Sequence, residues 1–272
     1  MELEAIVARL WPGGVDAVEP LGGGITNHNF KVAAGGELFV LRIGGNDTEL
    51  LGIDREHEHA ATQVAAGLGV GPEVVAFRDG CLVTRFVEGR AAAPEDLEPA
   101  AVGALLGLIH EGPPVPARFD SFRVVEAYRR TAQERGVPIP AAFDDAARRA
   151  AAIEARRGET AQCTCHNDLL SANFIDDGTQ LWIVDWEYAG MGDPFFDLGN
   201  FAANHDLDGT GERALLDAYS GDAGDEALAA LRDMRFMSDF REAMWGVVQQ
   251  GISALDFDFA AYADRHFERA LA

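Results

Sequence analysis

The stretch Cys165-His166-Asn167-Asp168-Leu169-Leu170-Ser171-Ala172-Asn173-Phe174, followed by Trp182-Ile183-Val184-Asp185-Trp186-Glu187, decides how this chain is read. It sets an aspartate, an asparagine and a second aspartate at short fixed intervals. The first two fall on a loop, and the third ends an apolar run that reads as a strand. Moving a phosphoryl group onto an alcohol needs three such groups. One carboxylate orients the hydroxyl and accepts its proton, while an amide oxygen and another carboxylate hold a metal ion on the phosphates. Asp168 and Asn173 stand in the D-x-x-x-x-N spacing, with His166 ahead of them. Asp168 is therefore the candidate base. Asn173 and Asp185 are the candidate ligands of Mg²⁺, which prefers oxygen donors. His166 is expected to brace the loop backbone, and Asp197 to be buried and hydrogen-bonded to the same loop.

Upstream, Leu21-Gly22-Gly23-Gly24-Ile25-Thr26-Asn27 reads as a turn between strands. Glycines there let backbone N–H groups approach phosphate oxygens closely. Gly23, Gly24, Thr26 and Asn27 are the candidate phosphate contacts. On the strand Leu38–Ile43, Val40 and Arg42 share a face, which places Val40 against a nucleotide base and Arg42 near its phosphates. A carboxylate on the next helix is needed to tether that cation. Glu58 is favoured, with Glu56 second; a solvated arginine on an edge strand is the plain alternative. Arg85 and Phe86, at the end of the last strand, complete the nucleotide-binding set.

Around these motifs, strands come first and helices later, which predicts an α+β protein with unequal lobes. A small N-terminal sheet with one main helix, Ile53–Leu68, occupies 1–88, and a larger, mostly helical part occupies 89–272, with the hinge at Glu88-Gly89. Helices are expected over Leu97–His110, Ser121–Gly136 and Ala141–Arg157. Four more are expected near Gly211–Ser220, Asp225–Met234, Phe236–Gly251 and Phe259–Leu271.

With 272 residues, 22 basic against 45 acidic side chains and a net charge of −23, the chain repels nucleic acid and anionic membrane surfaces. A cationic substrate suits it better. Lys31 is its single lysine, so 21 of the 22 basic residues are arginine. No apolar run approaches membrane-spanning length, so no membrane insertion is expected and a cytoplasmic location is. Three cysteines fit a reducing compartment. Cys163-x-Cys165-His166 has a metal-site look, but no second ligand pair follows it, and buried thiols on a strand leading to the loop are the better reading.

These pieces together resemble the choline/ethanolamine kinase branch of the aminoglycoside phosphotransferase superfamily, especially its bacterial LicA-like members. The resemblance rests on Gly23-Gly24-Ile25-Thr26-Asn27, Val40-Leu41-Arg42-Ile43, Leu68-Gly69-Val70-Gly71-Pro72, His166-Asn167-Asp168-Leu169-Leu170 with Asn173, and Asp185-Trp186-Glu187-Tyr188 with Asp197-Leu198-Gly199-Asn200. It covers roughly residues 20–205. It implies the two-lobed protein-kinase-like fold, ATP as phosphoryl donor with Mg²⁺, and a small amino-alcohol such as choline or ethanolamine as acceptor. Arginine at position 42 is typical of this branch.

Such enzymes hold a cationic head among aromatic rings and carboxylates, which makes Glu187, Tyr188, Asn204 and Trp245 the acceptor-binding candidates and Trp186 a possible further ring. Trp245 could equally be core packing. Asn204 stands where relatives often carry a glutamate, and only one of a family tryptophan pair remains. A thiamine, aminoglycoside or sugar kinase, and a nucleotide-binding pseudokinase, are the alternatives. The retained Asp168, Asn173 and Asp185 argue against the pseudokinase. Neither the acceptor nor the oligomeric state is readable from the residues.

Overall fold

In the computed structural model, which describes residues 3–22, 27–45 and 47–272, a short helix α1 (Leu3–Leu10) precedes β1 (Ala17–Leu21), β2 (Asn27–Ala34) and β3 (Glu37–Gly44). Gly23, Gly24, Ile25 and Thr26 of the predicted phosphate loop lie outside the described residues. Helix α2 (Arg55–Gly67) follows, then β4 (Val74–Arg78) and β5 (Cys81–Arg85). The five strands form one antiparallel sheet in the order β1-β2-β3-β5-β4. Both two-residue hairpin turns, Gly35-Gly36 and Asp79-Gly80, have positive φ throughout, the geometry that matches the natural twist of paired strands.

Period-two alternation along β3 decides the sheet's two faces. Phe39 and Leu41 join Ile6, Val7 and Val32 in a small core under α1, while Val40 and Arg42 face the cleft on the other side. Asp54 caps α2 by accepting the N–H groups of Glu56 and His57, which fixes where the helix begins. The buried stripe of α2 carries Glu58, Ala61, Thr62 and Ala65. Ala61 and Ala65 pack into the core of the helical part, so the two regions share apolar contacts.

Beyond the sheet come β6 (Arg90–Ala91), α3 (Pro99–His110), α4 (Ser121–Glu134) and α5 (Ala142–Arg157). The short strands β7 (Cys163–Cys165), β8 (Phe174–Asp176), β9 (Leu181–Ile183) and β10 (Gly190–Gly192) frame the Asp168 loop. Helices α6 (Pro194–Asn204), α7 (Gly209–Ser220), α8 (Asp225–Ile252) and α9 (Phe259–Leu271) finish the chain. The two helices expected over 225–234 and 236–251 are one helix of 28 residues. Neither glycine nor proline interrupts it at the junction. Arg235 there is anchored outward, donating to the Leu207 carbonyl at 2.7 Å and to Glu212 at 2.9 Å. Helices α6 and α8 touch backbone to backbone: a Cβ on Gly199 would lie 2.4 Å from the Arg235 amide nitrogen.

Candidate active site

A cleft of about 420 Å³ separates the sheet from the helical part, and Val40, Arg42, Glu58, Phe86, Asn173 and Asp185 are among its walls. Arg42 is pinned inside it. One guanidinium nitrogen donates to Glu58 at 2.7 Å and to Asp185 at 2.5 Å. Glu58 is thus the tether, and Glu56 is exposed. Burial opposes the charge on Arg42, yet Asp185 and Glu58 hold it protonated above its ordinary range. Arg55, one turn before Glu58 on α2, extends the network to Glu58 at 2.6 Å and Glu187 at 3.4 Å. Arg85 lines the cleft but pairs outward with Glu37 and Glu73. The Phe86 N–H donates to the Leu38 carbonyl, which ties the end of the sheet to the start of the connector.

The Asp168 loop is held by buried side chains on every side. Asp197 on α6 accepts the backbone N–H of His166 at 2.8 Å and that of Asn167 at 2.7 Å. Asn200, one turn later, accepts the N–H of Leu169 at 2.6 Å. His166 is fully buried, its Nε2 3.0 Å from the Val184 carbonyl and its Nδ1 accepting from the Asp168 N–H at 3.2 Å. It links the loop to the strand end that carries Asp185, as the sequence suggested. Burial lowers its pKa, which suits this bracing. Asn167 and Asp185 both adopt positive φ, of 67° and 68°. Non-glycine residues seldom do so, and such strain gathers at functional sites.

Asn173 donates its Nδ2 to the Asp168 carbonyl at 2.8 Å and to the Asp168 carboxylate at 3.3 Å. That leaves its Oδ1 as the end of the amide turned away from the loop. With Asp185 it offers the hard oxygen donors that suit Mg²⁺, so the residues present fit that ion. Burial pushes the Asp168 carboxyl up to about 7, against the pull of Arg241, with Glu242, Asp185 and Glu187 adding to the rise.

On the far side of Asp168 lies a cluster that sequence reasoning found only in part. Arg241 is buried, 3.4 Å from Asp168, ion-paired with Glu242, and its guanidinium sits 4.4 Å above the Tyr188 ring. Tyr262 donates to Glu242 at 2.7 Å, and Trp245 donates to the Tyr188 hydroxyl at 3.2 Å. Tyr188 and Trp245 are therefore brought together beside Asp168. Arg241, Glu242 and Tyr262 were missed. Arg241 and Glu242 had a signal, a charged pair amid Phe236, Met237, Phe240, Met244 and Val247 on one helix, where a buried charge must find a partner; Tyr262 had none.

Three residues assigned to acceptor binding sit elsewhere. Glu187 accepts from Asn27 at 2.8 Å and pairs with Arg55, so its carboxylate joins the sheet side of the cleft, where the cations are. Asn204 donates to the Leu169 carbonyl at 3.4 Å, supporting the loop and not the Tyr188–Trp245 pair. Trp186 is buried against His166, its indole N–H spent on the Ile183 carbonyl. Cys163 and Cys165 are free thiols 3.7 Å apart.

Residues 17–236 match the phosphotransferase enzyme family. Protein LicA of Haemophilus influenzae is 29% identical over 214 residues, which is 72% of this chain but only 61% of that protein, so the chain spans under two thirds of that relative. Ethanolamine kinase 2 of Mus musculus is 25% identical over 263 residues, 85% of this chain and 68% of the mouse protein. Among solved structures, a choline/ethanolamine kinase family protein from Mesorhizobium loti superposes with a TM-score of 0.83 at 32% identity, covering 98% of this chain and 92% of that one.

Proposed function

The chain belongs to the phosphotransferase enzyme family, in its choline/ethanolamine kinase branch and with the two-lobed protein-kinase-like fold, and from that premise we propose that it transfers the γ-phosphoryl group of ATP to the hydroxyl of a small amino-alcohol, choline or ethanolamine foremost. The observation that carries this reading is the position of Asp168, between the Asn173–Asp185 oxygens of the cleft and the Tyr188–Trp245 rings behind it.

Residues 1–88 then form the nucleotide-binding lobe and 89–272 the catalytic and acceptor lobe. Val40 and Phe86 line the base end of the cleft. Arg42, fixed by Glu58, meets the phosphates as a permanent cation with bidentate geometry. Asn173 and Asp185 would hold Mg²⁺, which when bound neutralises charge on the phosphate oxygens. Asp168 receives the hydroxyl proton as the alcohol oxygen bonds to the γ-phosphorus and the bond to the leaving ADP oxygen breaks. The acceptor's cationic head would meet Tyr188, Trp245, Tyr262 and the Glu242 carboxylate.

One observation favours a second reading of the acceptor. A cation, Arg241, already covers the Tyr188 ring, which suits a neutral sugar, whose hydroxyls accept hydrogen bonds from a guanidinium, better than a quaternary ammonium. The test of the reaction is Asp168→Asn. It should fold and bind ATP while turnover falls on the order of 10²–10⁴-fold. Retention of a tenth of wild-type turnover on the true acceptor would remove Asp168 from its role. An ADP-release screen across choline, ethanolamine, thiamine, aminoglycosides and sugars separates the two acceptor readings.

A further inference from the structure

The third side chain beside the two thiols is not the neighbouring His166 but His110, at the end of α3. One ligand atom from each of His110, Cys163 and Cys165 lies within 4.8 Å of the other two, and among the described residues this is the one such group. We propose that His110, Cys163 and Cys165 form a zinc site at the root of the Asp168 loop, distinct from the oxygen donors that serve Mg²⁺.

The geometry fits zinc in three ways. The Sγ atoms are 3.7 Å apart. A tetrahedron built on Zn–S bonds of about 2.3 Å has an edge of roughly 3.8 Å. The His110 Nε2–H donates to the Asp197 carboxylate at 3.0 Å, leaving the lone pair on Nδ1. A carboxylate behind the imidazole is the arrangement that orients metal-binding histidines. The site is also electrically balanced. Two thiolates neutralise a divalent cation, His110 binds as the neutral imidazole, and the displaced protons pass to solvent. Tyr219, whose hydroxyl is 3.0 Å from Nδ1, occupies that lone pair in the metal-free chain and is displaced when the ion binds.

A disulfide fits the same pair less well. Its Cα atoms usually lie about 4.4–6.8 Å apart, most often about 5.5–6 Å, so an extended strand sits at the far end of that range. Residues two apart on an extended strand are separated by roughly 6.6 Å. Strand β7 cannot easily contract, because it is paired with β10 along its whole length. An ion bridging the sulfurs leaves the strand as it is.

Occupancy would be felt at the reaction centre, since Asp197 serves both His110 and the backbone of the Asp168 loop. The test uses the full chain, reduced and stripped of metal, titrated with Co²⁺ as a spectroscopic stand-in for Zn²⁺. A thiolate-to-cobalt charge-transfer band should appear at one equivalent and vanish when Zn²⁺ is added. Cobalt held only by Asn173 and Asp185 gives no such band, because those donors are oxygens. Cys163→Ser should halve the band and weaken Zn²⁺ binding at least as much as the roughly 10- to 100-fold seen for loss of an outer-shell partner. Cys81→Ser, on β5, should leave both unchanged. Absence of the band in the wild-type protein overturns the site, and so does an undiminished band in Cys163→Ser. Loss of two thiols under mild oxidation, without any metal uptake, would assign the pair to disulfide chemistry instead.

Discussion

Two half-buried arginines and three carboxylates account for the sheet side of the site: Arg42 with Glu58 and Asp185, and Arg55 with Glu58 and Glu187. Because Glu58 serves both arginines, its loss and that of Arg42 cannot be independent. Each alanine substitution should raise the KM for ATP. The double variant should fall short of the summed cost by about 0.5–3 kcal/mol, the coupling usual for residues in contact. Strict additivity in steady-state kinetics would mean that the pair does not act together. Arg241 makes a second case. Arg241→Ala strands Glu242, which then has Tyr262 as its remaining bond. Breaking a buried ion pair from one side costs about 3–5 kcal/mol, so the urea midpoint should drop clearly, and a midpoint close to wild type would refute the pairing. These examples also mark what the residues alone could reveal. That Asp168, Asn173 and Asp185 come together was legible because their relation is local, fixed by spacing along one loop and one strand end. Glu58 was legible because it lies one strand and one helix turn from Arg42. Arg241 and Glu242 were not, since they are more than seventy positions from Asp168 and only tertiary packing makes them its neighbours. Glu187 was misread for the same reason: its neighbour Tyr188 does face Arg241, but nothing local revealed that Arg55 would draw the carboxylate the other way.

At the scale of elements, α8 carries both core and site on successive turns. Trp245 packs edge-on to Phe259 and Tyr262 and still donates to Tyr188. Trp245→Ala should therefore lower the melting temperature and raise the acceptor KM. Trp245→Phe keeps the ring in the core but loses the N–H donor and the indole face. It should raise the acceptor KM by no more than a few-fold, since a phenyl face keeps part of a cation–π contact worth about 0.5–2 kcal/mol, with little change in melting temperature or in the KM for ATP. An unaltered acceptor KM in Trp245→Phe would confine Trp245 to packing. Joining α3, β7 and α6, the His110–Cys163–Asp197 cluster predicts an unusual pH response in the metal-free protein. Despite burial, the Asp197 hydrogen bond raises His110 to about 9. Taken alone, that stabilisation is complete below the ordinary histidine value and fades as pH rises toward 9. Cys163, depressed to about 6, has the opposite sign: its contribution is complete above the ordinary thiol value and fades as pH falls toward 6. Between about 6.5 and 9 the folded cluster holds one proton on His110, and the unfolded chain holds one on the thiol. The proton counts match, so the cluster should add no slope there. Cys163→Ser removes the compensation, and its stability relative to wild type should fall as pH rises from 6.5 to 9. Parallel urea midpoints for the two proteins over that range would contradict the pairing. The bounds expected for the main N-terminal helix, Ile53–Leu68, fall within two residues of the observed α2, Arg55–Gly67. The single long α8 was not readable: two helices were expected to part at Arg235, and the backbone needs no break there.

Over the whole molecule, a net charge of −23 repels itself in the compact state. The Debye length shrinks from about 30 Å at 0.01 M salt to about 3 Å at 1 M. The melting temperature should therefore climb steadily as sodium chloride is raised across that range, and a flat or falling curve would mean that internal ion pairs dominate the balance. The order of strands before helices was enough to anticipate the fold at this scale, since each region closes a core of its own. The apolar contact between α2 and the helical part was beyond reach, because it depends on how the regions dock. The contact at Gly199 has a consequence for descent. Helix α6 carries Asp197 and Asn200, which hold the Asp168 loop, and α8 carries Arg241, Glu242 and Trp245. With no side chain between the two backbones, they form one unit, with the supports of the Asp168 loop on α6 and the Arg241–Trp245 face on α8. Under the proposed function, a lineage built on this scaffold changes its acceptor by point substitution on α8 while the α6 residues that hold the Asp168 loop stay in place.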